Sequence, residues 1–549
     1  MVQRILEYIR KYFCKHSLSG KIIIFSVLSL FPVLLMIQTK SIVFGDDFYF
    51  HLSRLSSLLD SVSGGDIFPF IHSGSLMGQG YGYGFYYSNL FYYPFVLFRL
   101  LGFNATVSYL MFVFLINFIK CIISYCSFLM ISKNKESSIT FTILYALTLY
   151  HFIDIGQRSA LSEFVALAFL PLVIAGIITI VNQDEKQWWV LSMGMTFVIY
   201  AHLLTGIICV IFVFLFMLLN LKILVDAKRV LSFVKATVLT ILLTTALFVP
   251  LFEQMMNLDL VVGNYKWVSM YQGTTSVLEM LQTLLTYDGY ANLGVISLIM
   301  IFFIVVKIRE ISNLNKKLLI VSTIFFVMLL PYFPWKQLHN TFLDIIQFPW
   351  RFLGIITLII TWIFVSLKEK RSVVIVLITI SILNIYSFNQ KIVFDYPLME
   401  FDDLNRINSN LLKGNEFLHL GADPGILYFH GGKILVNGDI ASNLEVSYPK
   451  QNQISFYFSD YEEKEYTIPK IYYMGYLIYA TEDVTIVNMG FDQNGQVVVT
   501  AKGEGIITLY YKRTLLQNVS AGISTFSLIG FTYFLIKTYT KRKRVNQKL

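Results

Sequence analysis

The sequence predicts an α-helical polytopic membrane protein with about 12 transmembrane helices and a C-terminal β-sandwich outside the membrane, which the last helix anchors. Two observations predict the membrane part. Of the 549 residues, 56% are hydrophobic and only 14% are charged, and the mean hydropathy of +0.64 is far above that of an ordinary soluble domain. A change of composition after residue 388 predicts the separate β domain.

Apolar runs long enough to cross a bilayer recur along the chain. A hydrocarbon core about 30 Å thick needs roughly 20 apolar residues per helix. The segmentation predicts about twelve spans, near residues 22–38, 105–131, 139–153, 164–181, 188–201, 204–224, 230–250, 293–307, 318–331, 352–367, 372–387 and 515–536. The basic N-terminal stretch is followed by no small-residue cleavage site, so the first span is expected to be retained.

Lysine and arginine clusters fall on one side of this topology. With a cytoplasmic N-terminus, they occupy the cytoplasmic loops and the tail after the last span, as the positive-inside rule requires. The formal net charge of +9 is therefore assigned to orientation and to contact with the lipid bilayer, and a nucleic-acid partner is not expected. The prediction is a multi-pass plasma-membrane protein with both termini in the cytoplasm.

Cysteine usage bears on the compartment. Cys14, Cys121, Cys126 and Cys209 all fall in predicted spans or on the cytoplasmic side. The predicted outer segments therefore carry no disulfide framework. This pattern suits a bacterial membrane of the Gram-positive type, whose outer face lacks disulfide machinery.

The segment 389–513 differs from everything before it. Acidic residues outnumber basic ones, and turn signals such as "GADPG", "VNGD" and "DQNGQ" separate short stretches rich in β-branched and aromatic residues. Three divisions follow from these patterns. They are a transmembrane module at 1–388 with a first outer loop at 39–104, an extracytoplasmic mostly β domain at 389–513, and a final transmembrane helix with a basic tail at 514–549.

The first outer loop places ionisable residues directly after the first span, in the stretch "GDDFYFHLSR". If this stretch is helical, Asp47, His51 and Arg54 share one face. One interpretation is that Asp46 and Asp47 mark a helix N-terminus, where carboxylates complement the helix dipole. The second is that they belong to a functional site, and the residues alone leave both interpretations open.

More polar residues occur at other predicted outer helix ends. A single one is more often a membrane anchor or half of a structural pair, but convergence from several hairpins predicts a cleft. The residues are Asp154, Arg158 and Glu163 in "YHFIDIGQRSALSEF", His202 in "YAHLLTG", and Asp344, Gln347, Trp350 and Arg351 in "LDIIQFPWRFLG".

Together these segments resemble the YfhO-type branch of the GT-C membrane glycosyltransferases. The most specific pieces are "GQRSALSEFVALAFLPL" and "IIQFPWRFLG", and the similarity spans nearly the whole chain, including the outer β domain before the last helix. The resemblance implies a GT-C-like fold for the transmembrane module. It also implies an enzyme that transfers a sugar from a polyprenyl-phosphate donor to an envelope glycan, glycolipid or protein acceptor. Transfer would occur on the outer face of the membrane, with inversion at the anomeric carbon.

The resemblance further implies residue roles. The family's loop carboxylate, which acts as the base, corresponds to Asp46 or Asp47, with Asp46 preferred. Arg351 and Arg158 are candidates for binding the donor phosphate, because a guanidinium meets phosphate with two parallel hydrogen bonds. His202 is a further candidate for phosphate. The residues expected to support these groups or the acceptor are Asp154, Glu163, His51, Tyr83, Tyr86, Gln347 and Trp350.

A metal and two other functions stay open at this point. Mg²⁺ or Mn²⁺ is bound typically by one or two carboxylates plus substrate phosphate, and the candidate ligands are Asp46, Asp47 and Asp154. The alternative functions are a transporter or flippase of lipid-linked saccharides and a non-catalytic scaffold of envelope assembly. Polar residues gathered at one face, together with a large outer β domain, favour the enzyme over the transporter.

Overall fold

A computed structural model describes residues 18–264, 270–339, 341–406, 414–441 and 444–546. The chain is mostly helical and carries a β-sheet near its C-terminus, which confirms the predicted combination of apolar helices and a C-terminal β region. The basic N-terminal stretch and Cys14 lie outside the described residues.

Seven helices among the described residues are long and apolar enough to cross a membrane. They are Leu18–Thr39, Ala105–Ser132, Leu161–Asn182, Ala227–Asn257, Pro349–Ser366, Arg371–Asp395 and Leu515–Thr538. The pair Lys135–Ala146 and Leu149–Gln157, bent by 45°, adds an eighth candidate. Other predicted spans coincide with helices shorter than the roughly 20 residues that a straight crossing needs, namely Trp189–Ala201, Leu203–Leu218, Val295–Val306 and Asn313–Leu329.

The chain divides into two compact units, each described here separately. The first, the helical unit, comprises residues 1–51, 97–237 and 266–406. Its centre is the span Leu161–Asn182, which is buried along its whole apolar window, and the segment Pro349–Ser366, of which 89% is buried. Small residues allow this close packing, since a Cβ at Gly176 would meet the Leu191 backbone at 2.5 Å.

Side-chain contacts connect several of the basic loops that the sequence predicts to be cytoplasmic. The Lys307 Nζ lies 2.7 Å from a Glu369 carboxylate oxygen, and Arg371 pairs with Glu136. The Lys317 Nζ donates to the Asn220 side chain at 2.7 Å. These contacts bring the loops that carry the basic clusters together, at the ends remote from the residues of the predicted cleft.

The second unit, the β unit, comprises residues 52–96, 238–265 and 407–549. Among the described residues its sheet has seven antiparallel strands, and the two longest of them pair with each other. The strands are β3 Leu435–Val436, β4 Asp439–Ile440, β5 Val446–Ser447, β6 Gln453–Ile471, β7 Tyr476–Ala480, β8 Val484–Phe491 and β9 Gln496–Tyr511. The remaining strands, β1 Ser41–Val43 and β2 Leu398–Glu400, pair with each other in the helical unit.

Residues 52–96 of the first outer loop belong to the β unit because they bond to its strands and loops. The Ile471 amide donates to the Gln79 carbonyl at 3.1 Å, and the Tyr86 ring stacks on Phe417 with centroids 4.3 Å apart. The remaining short helices are Phe48–Ser63, Tyr83–Tyr86, Tyr93–Leu100, Val261–Asn264, Val277–Thr286, Phe401–Leu404 and Pro424–His430, and the last helix runs over Leu515–Asn546. The span Leu161–Asn182 comprises the helices Leu161–Leu167 and Leu170–Asn182, and the span Pro349–Ser366 includes the helix Leu353–Ser366.

Candidate functional site

The two adjacent carboxylates of the first outer loop are fixed by backbone contacts within the helical unit. After β1, the chain at Gly45 runs against residues 157 and 158, where a Cβ would lie 2.5 Å from the Gln157 carbonyl oxygen. The Asp47 amide donates to the Arg158 carbonyl at 3.0 Å, and the Ser159 hydroxyl donates to the Val43 carbonyl at 3.1 Å. Two segments far apart in sequence are thus held in register, with Asp46 and Asp47 beside Arg158.

A buried ion network lies next to this contact. One nitrogen of Arg158, Nη1, lies 2.6 Å from Asp154 Oδ1 and 2.8 Å from Glu163 Oε2. The other Glu163 oxygen accepts from the Tyr150 hydroxyl at 2.6 Å. All four side chains are at most 4% exposed, so the pairing is needed because an unpaired buried charge is costly. The π-helical turn Ile153–Gln157 presents Asp154 towards Arg158 at this break in the span.

A second guanidinium joins the network from the segment "FPWRF". The Arg351 Nε lies 3.6 Å from Glu163 Oε2, and its Nη1 donates to the Ile346 carbonyl at 2.6 Å and to the Gln347 side chain at 3.1 Å. Gln347 adopts φ +66°, an uncommon conformation for a residue with a side chain. Glu163 therefore contacts both Arg158 and Arg351. The strained turn at Gln347 fixes the position of Arg351.

Each arginine keeps donors that the protein does not use. Among the described residues, Arg158 makes its hydrogen bonds through Nη1 alone, which leaves its Nε and Nη2 without acceptors. The Nη2 of Arg351 likewise has no acceptor in the part of the chain that the structure describes. A guanidinium with donors to spare is suited to bind an oxyanion.

The two aspartates differ in their surroundings. Asp46 is exposed and accepts a hydrogen bond from the Tyr290 hydroxyl. Asp47 is half-buried, and its carboxylate has no hydrogen-bond partner among the described residues. Burial raises the pKa of Asp47 above its usual value, although the charges of Arg158 and Arg351 oppose the shift. Asp47 is thus the unengaged carboxylate of the pair, beside two cations.

Three half-buried aromatic rings adjoin these groups. Trp350 stacks on Phe348 with centroids 4.2 Å apart, and Tyr290 lies 5.3 Å from Trp350. Trp350 was predicted as a supporting residue, whereas Tyr290 carries no recognisable signal in "TYDGYANLG" and was missed. Its contact with Asp46 spans 244 positions of sequence.

Other predicted residues make contacts of their own within their units. His202 lies in the break between two helices, where its Nδ1 is 2.8 Å from the Thr205 hydroxyl, and it interacts electrostatically with Glu163. The His51 amide donates to the Asp47 carbonyl at 3.1 Å. Asp344 pairs with His339 at 2.9 Å. Tyr83 and Tyr86 belong to the β unit and are buried in it, with the Tyr83 hydroxyl 3.2 Å from the Ser53 hydroxyl.

One buried cation near the network went unpredicted although the sequence carried a signal. Lys120 lies near the middle of the span Ala105–Ser132 and is only 2% exposed. Its Nζ lies 5.5 Å from the centroid of the Phe164 ring, and it interacts electrostatically with Asp154. An ionisable residue inside an apolar span is by default a functional or paired group, and "FLINFIKCIIS" contains one.

Two of the three carboxylates predicted as metal ligands bond to other side chains. Asp154 bonds to Arg158, and Asp46 bonds to Tyr290. Among the described residues, no group of three or more His, Cys, Asp or Glu side chains is arranged to hold a metal ion. A divalent cation at this site stays a prediction.

Comparison with family models, with curated protein sequences and with solved structures finds no match to this chain.

Proposed function

We propose that the protein is a membrane glycosyltransferase of the GT-C type, which moves a sugar from a polyprenyl-phosphate donor to a cell-envelope acceptor. The observation that carries the proposal is the pairing of an unengaged carboxylate, Asp47, with two arginines that keep unused donors, Arg158 and Arg351. The resemblance of "GQRSALSEF" and "IIQFPWRF" to the YfhO-type branch supports the same conclusion, because these two segments supply the two arginines.

The arginines suit the leaving group. When the bond between the anomeric carbon and the phosphate oxygen breaks, the lipid phosphate leaves with the electron pair and gains negative charge. Donors already fixed by Glu163, Asp154 and the Gln347 turn need little reorganisation to meet that charge. Fixed cations in a water-poor site stabilise such a transition state far better than mobile ones in solvent.

Asp47 suits the base. As the acceptor hydroxyl attacks the anomeric carbon, its proton passes to the carboxylate, and the new glycosidic bond forms on the face opposite the departing phosphate. A base works best when its pKa approaches the operating pH, and burial shifts the pKa of Asp47 in that direction. Asp46, preferred from the sequence, is bound by Tyr290, so we assign the base to Asp47.

We further propose that the chain crosses a plasma membrane about twelve times with both termini in the cytoplasm, as in a Gram-positive bacterium. The short helices support this count because they connect the two ends of the helical unit. Trp189–Ala201 begins after the basic loop at Lys186 and ends at His202, beside Glu163. Leu203–Leu218 then returns towards Asn220, which bonds to Lys317. The β-sheet of the β unit is proposed to lie outside, as a sandwich formed by twisting its long strands.

The proposal is tested in liposomes that hold the purified full chain and polyprenyl phosphate carrying a radiolabelled sugar, with crude envelope material as acceptor. Asp47→Asn is expected to lower transfer by about 10²- to 10⁴-fold while donor binding is kept. Asp46→Asn is expected to retain more activity than Asp47→Asn. Asp402→Asn, which changes an exposed carboxylate of the same unit, is the matched control and should transfer normally.

Two results would contradict the proposal. Movement of labelled saccharide across the vesicle membrane without a new glycosidic bond would indicate a transporter of lipid-linked saccharides. Transfer that is absent from the wild type with every donor, together with envelope defects that Asp47→Asn does not reproduce in cells, would indicate a scaffold.

A further inference from the structure

Three aromatic side chains form a cluster in the helical unit. This cluster, the aromatic wall, consists of Phe348, Trp350 and Tyr290. The Phe348 ring stacks on one face of Trp350 with 14° between their planes, and the Tyr290 ring is tilted by 59° to Trp350. All three residues are half-buried, whereas Tyr150 in the adjoining ion network is wholly buried. The wall therefore keeps ring surface available beside a charged cluster.

The wall lies directly beside both arginines. The Arg158 Cζ is 5.9 Å from the centroid of the Tyr290 ring, and the Arg351 Cζ is 5.2 Å from the centroid of the Phe348 ring. The Tyr290 hydroxyl also donates to the exposed Asp46 carboxylate. A ligand on the wall would thus have a guanidinium group near each end and the Asp46 acceptor beside Tyr290.

Two local features indicate that the wall does more than fill space. The Trp350 Nε1 is buried and has no hydrogen-bond partner among the described residues, although a buried indole N–H normally finds one. Gln347, which precedes Phe348, holds φ +66°. Unmet donors and strained backbone both concentrate where a ligand binds.

We infer that the aromatic wall is the subsite for the sugar ring of the donor, and that it accepts a pyranose joined directly to one phosphate. The inference rests on the proposed function. The apolar C–H face of the sugar would lie on Trp350 and Tyr290, and its hydroxyls would donate to Asp46. A ring that is one oxygen atom away from phosphorus fits a wall whose end rings, Phe348 and Tyr290, have centroids 5.2 Å and 5.9 Å from a guanidinium carbon that can serve the phosphate. Asp46 then orients the sugar while Asp47 takes the proton.

Binding alone tests this subsite, because it needs neither acceptor nor turnover. The full chain in nanodiscs is titrated with inorganic phosphate and with glucose, galactose and N-acetylglucosamine 1-phosphates, each followed by calorimetry. Trp350→Leu is expected to weaken binding of the preferred sugar phosphate by about tenfold and to leave the affinity for inorganic phosphate within about twofold. Arg351→Gln is expected to weaken both ligands.

Two milder variants separate ring contact from folding defects. Trp350→Phe keeps a ring and removes the indole N–H, so it should bind the sugar phosphate more tightly than Trp350→Leu. Tyr290→Phe keeps the wall and removes the hydroxyl that bonds to Asp46, so it should change the preference among the three sugars. Trp189→Leu, at the start of another helix of the same unit, is the matched control and should bind like the wild type.

The outcomes distinguish this inference from the proposed function. Equal loss of both ligands in Trp350→Leu, no loss of either, or no binding of any sugar phosphate by the wild type would overturn the subsite, whatever the transfer assay shows. Binding that depends on Trp350, with no transfer in liposomes, would keep the subsite and overturn the transferase.

Discussion

At the scale of single residues, Gly45 decides where the two carboxylates lie. A Cβ at this position would be 2.5 Å from the Gln157 carbonyl oxygen and 2.6 Å from the Arg158 carbonyl carbon. Both atoms are backbone atoms, so they cannot rotate away as a flexible side chain would. The glycine permits the close approach by which the Asp47 amide reaches the Arg158 carbonyl.

Replacing this glycine should therefore impair the site more than the fold. Gly45→Ala is expected to move Asp46 and Asp47 away from Arg158 and to lower sugar transfer by about 100-fold, the cost of a displacement near 1 Å. The measurement is the initial rate of transfer in liposomes. Gly522→Ala, at a position where a Cβ would have open space, is the control. Full activity of Gly45→Ala would show that the close approach at Gly45 does not position Asp46 and Asp47 for transfer.

The pKa of Asp47 predicts the acid side of the pH profile. A base acts when ionised, so transfer should fall as the pH drops through the pKa of Asp47, which burial raises above the usual value. The fall in kcat/KM should begin at a higher pH than an exposed aspartate would give. On this limb, a plot of log(kcat/KM) against pH should have a slope of one. Asp47→Glu should shift this limb, and Asp46→Asn should move it to lower pH because the Asp46 charge also raises the pKa of Asp47. A profile without an acid limb would contradict the assignment.

The raised pKa of Asp47 also determines whether its ionisation stabilises or destabilises the fold. Because the folded state raises the pKa, Asp47 stabilises the fold only while protonated, and that contribution is lost as the pH rises through the folded pKa. At neutral pH Asp47→Asn is therefore expected to melt at the same temperature as the wild type or higher. A lowered melting temperature would assign Asp47 a structural role.

At the scale of elements, the glycine-rich stretch of the first outer loop packs against strand β6 through a buried cation. The Lys470 Nζ donates to the Gly78 carbonyl at 2.5 Å. The residue Lys470 is only 3% exposed. Gly78 and Gly80 adopt φ values of +87° and +86°, conformations that favour glycine. Burial lowers the pKa of Lys470 to about 8.

Lys470 should make the stability of the β unit depend on pH. Between its folded pKa of about 8 and the ordinary value of 10.5, the unfolded chain holds a proton that the folded chain has lost, so stability rises with pH by about 3 kcal/mol in total. The difference in melting temperature between the wild type and Lys470→Met, measured from pH 7 to 11, should show this rise. Parallel melting curves for the two proteins would contradict it.

The elements also show what the sequence could and could not predict. The pairing of Arg158 with Asp154 and Glu163 was within reach because the three lie four and five positions apart. The contact of Tyr290 with Asp46 joins residues 244 positions apart and leaves no local pattern. The stacking of Tyr86 on Phe417 within the β unit joins residues far apart in sequence, and periodicity cannot identify such a partner.

The membrane spans also show what a hydropathy pattern can and cannot predict. The hydropathy pattern located the long helices well, because a run of about 20 apolar residues is rare outside a membrane span. It gave no sign of the 45° bend between Lys135–Ala146 and Leu149–Gln157. Bends and π-helical turns depend on tertiary packing, so they lie beyond a local pattern.

At the scale of the whole molecule, the number of crossings determines which loops share a compartment. Seven spans would place the two termini on opposite sides of the membrane, whereas eight or twelve would place them on the same side. Both terminal segments are basic, and basic segments stay in the cytoplasm, so the count should be even. Eight and twelve differ in the loop around Glu310. Twelve crossings put it inside, because Val295–Val306 and Asn313–Leu329 then both cross.

Contacts within the helical unit favour the inner position. The Lys307 Nζ lies 2.7 Å from Glu369 and 3.8 Å from Glu310, so this loop adjoins the start of the helix Arg371–Asp395, where "KEKR" marks a cytoplasmic end. Single cysteines at positions 310, 483 and 547, in a chain without its native cysteines, test the count with a membrane-impermeant maleimide. Asp483→Cys should react in intact cells, and Glu310→Cys and Gln547→Cys only after permeabilisation. Reaction at 310 in intact cells would remove the pair Val295–Val306 and Asn313–Leu329 from the count and leave ten crossings at most. Reaction at 547 without reaction at 483 would invert the topology and turn the candidate site towards the cytoplasm, where a polyprenyl-linked donor facing outward could not reach it.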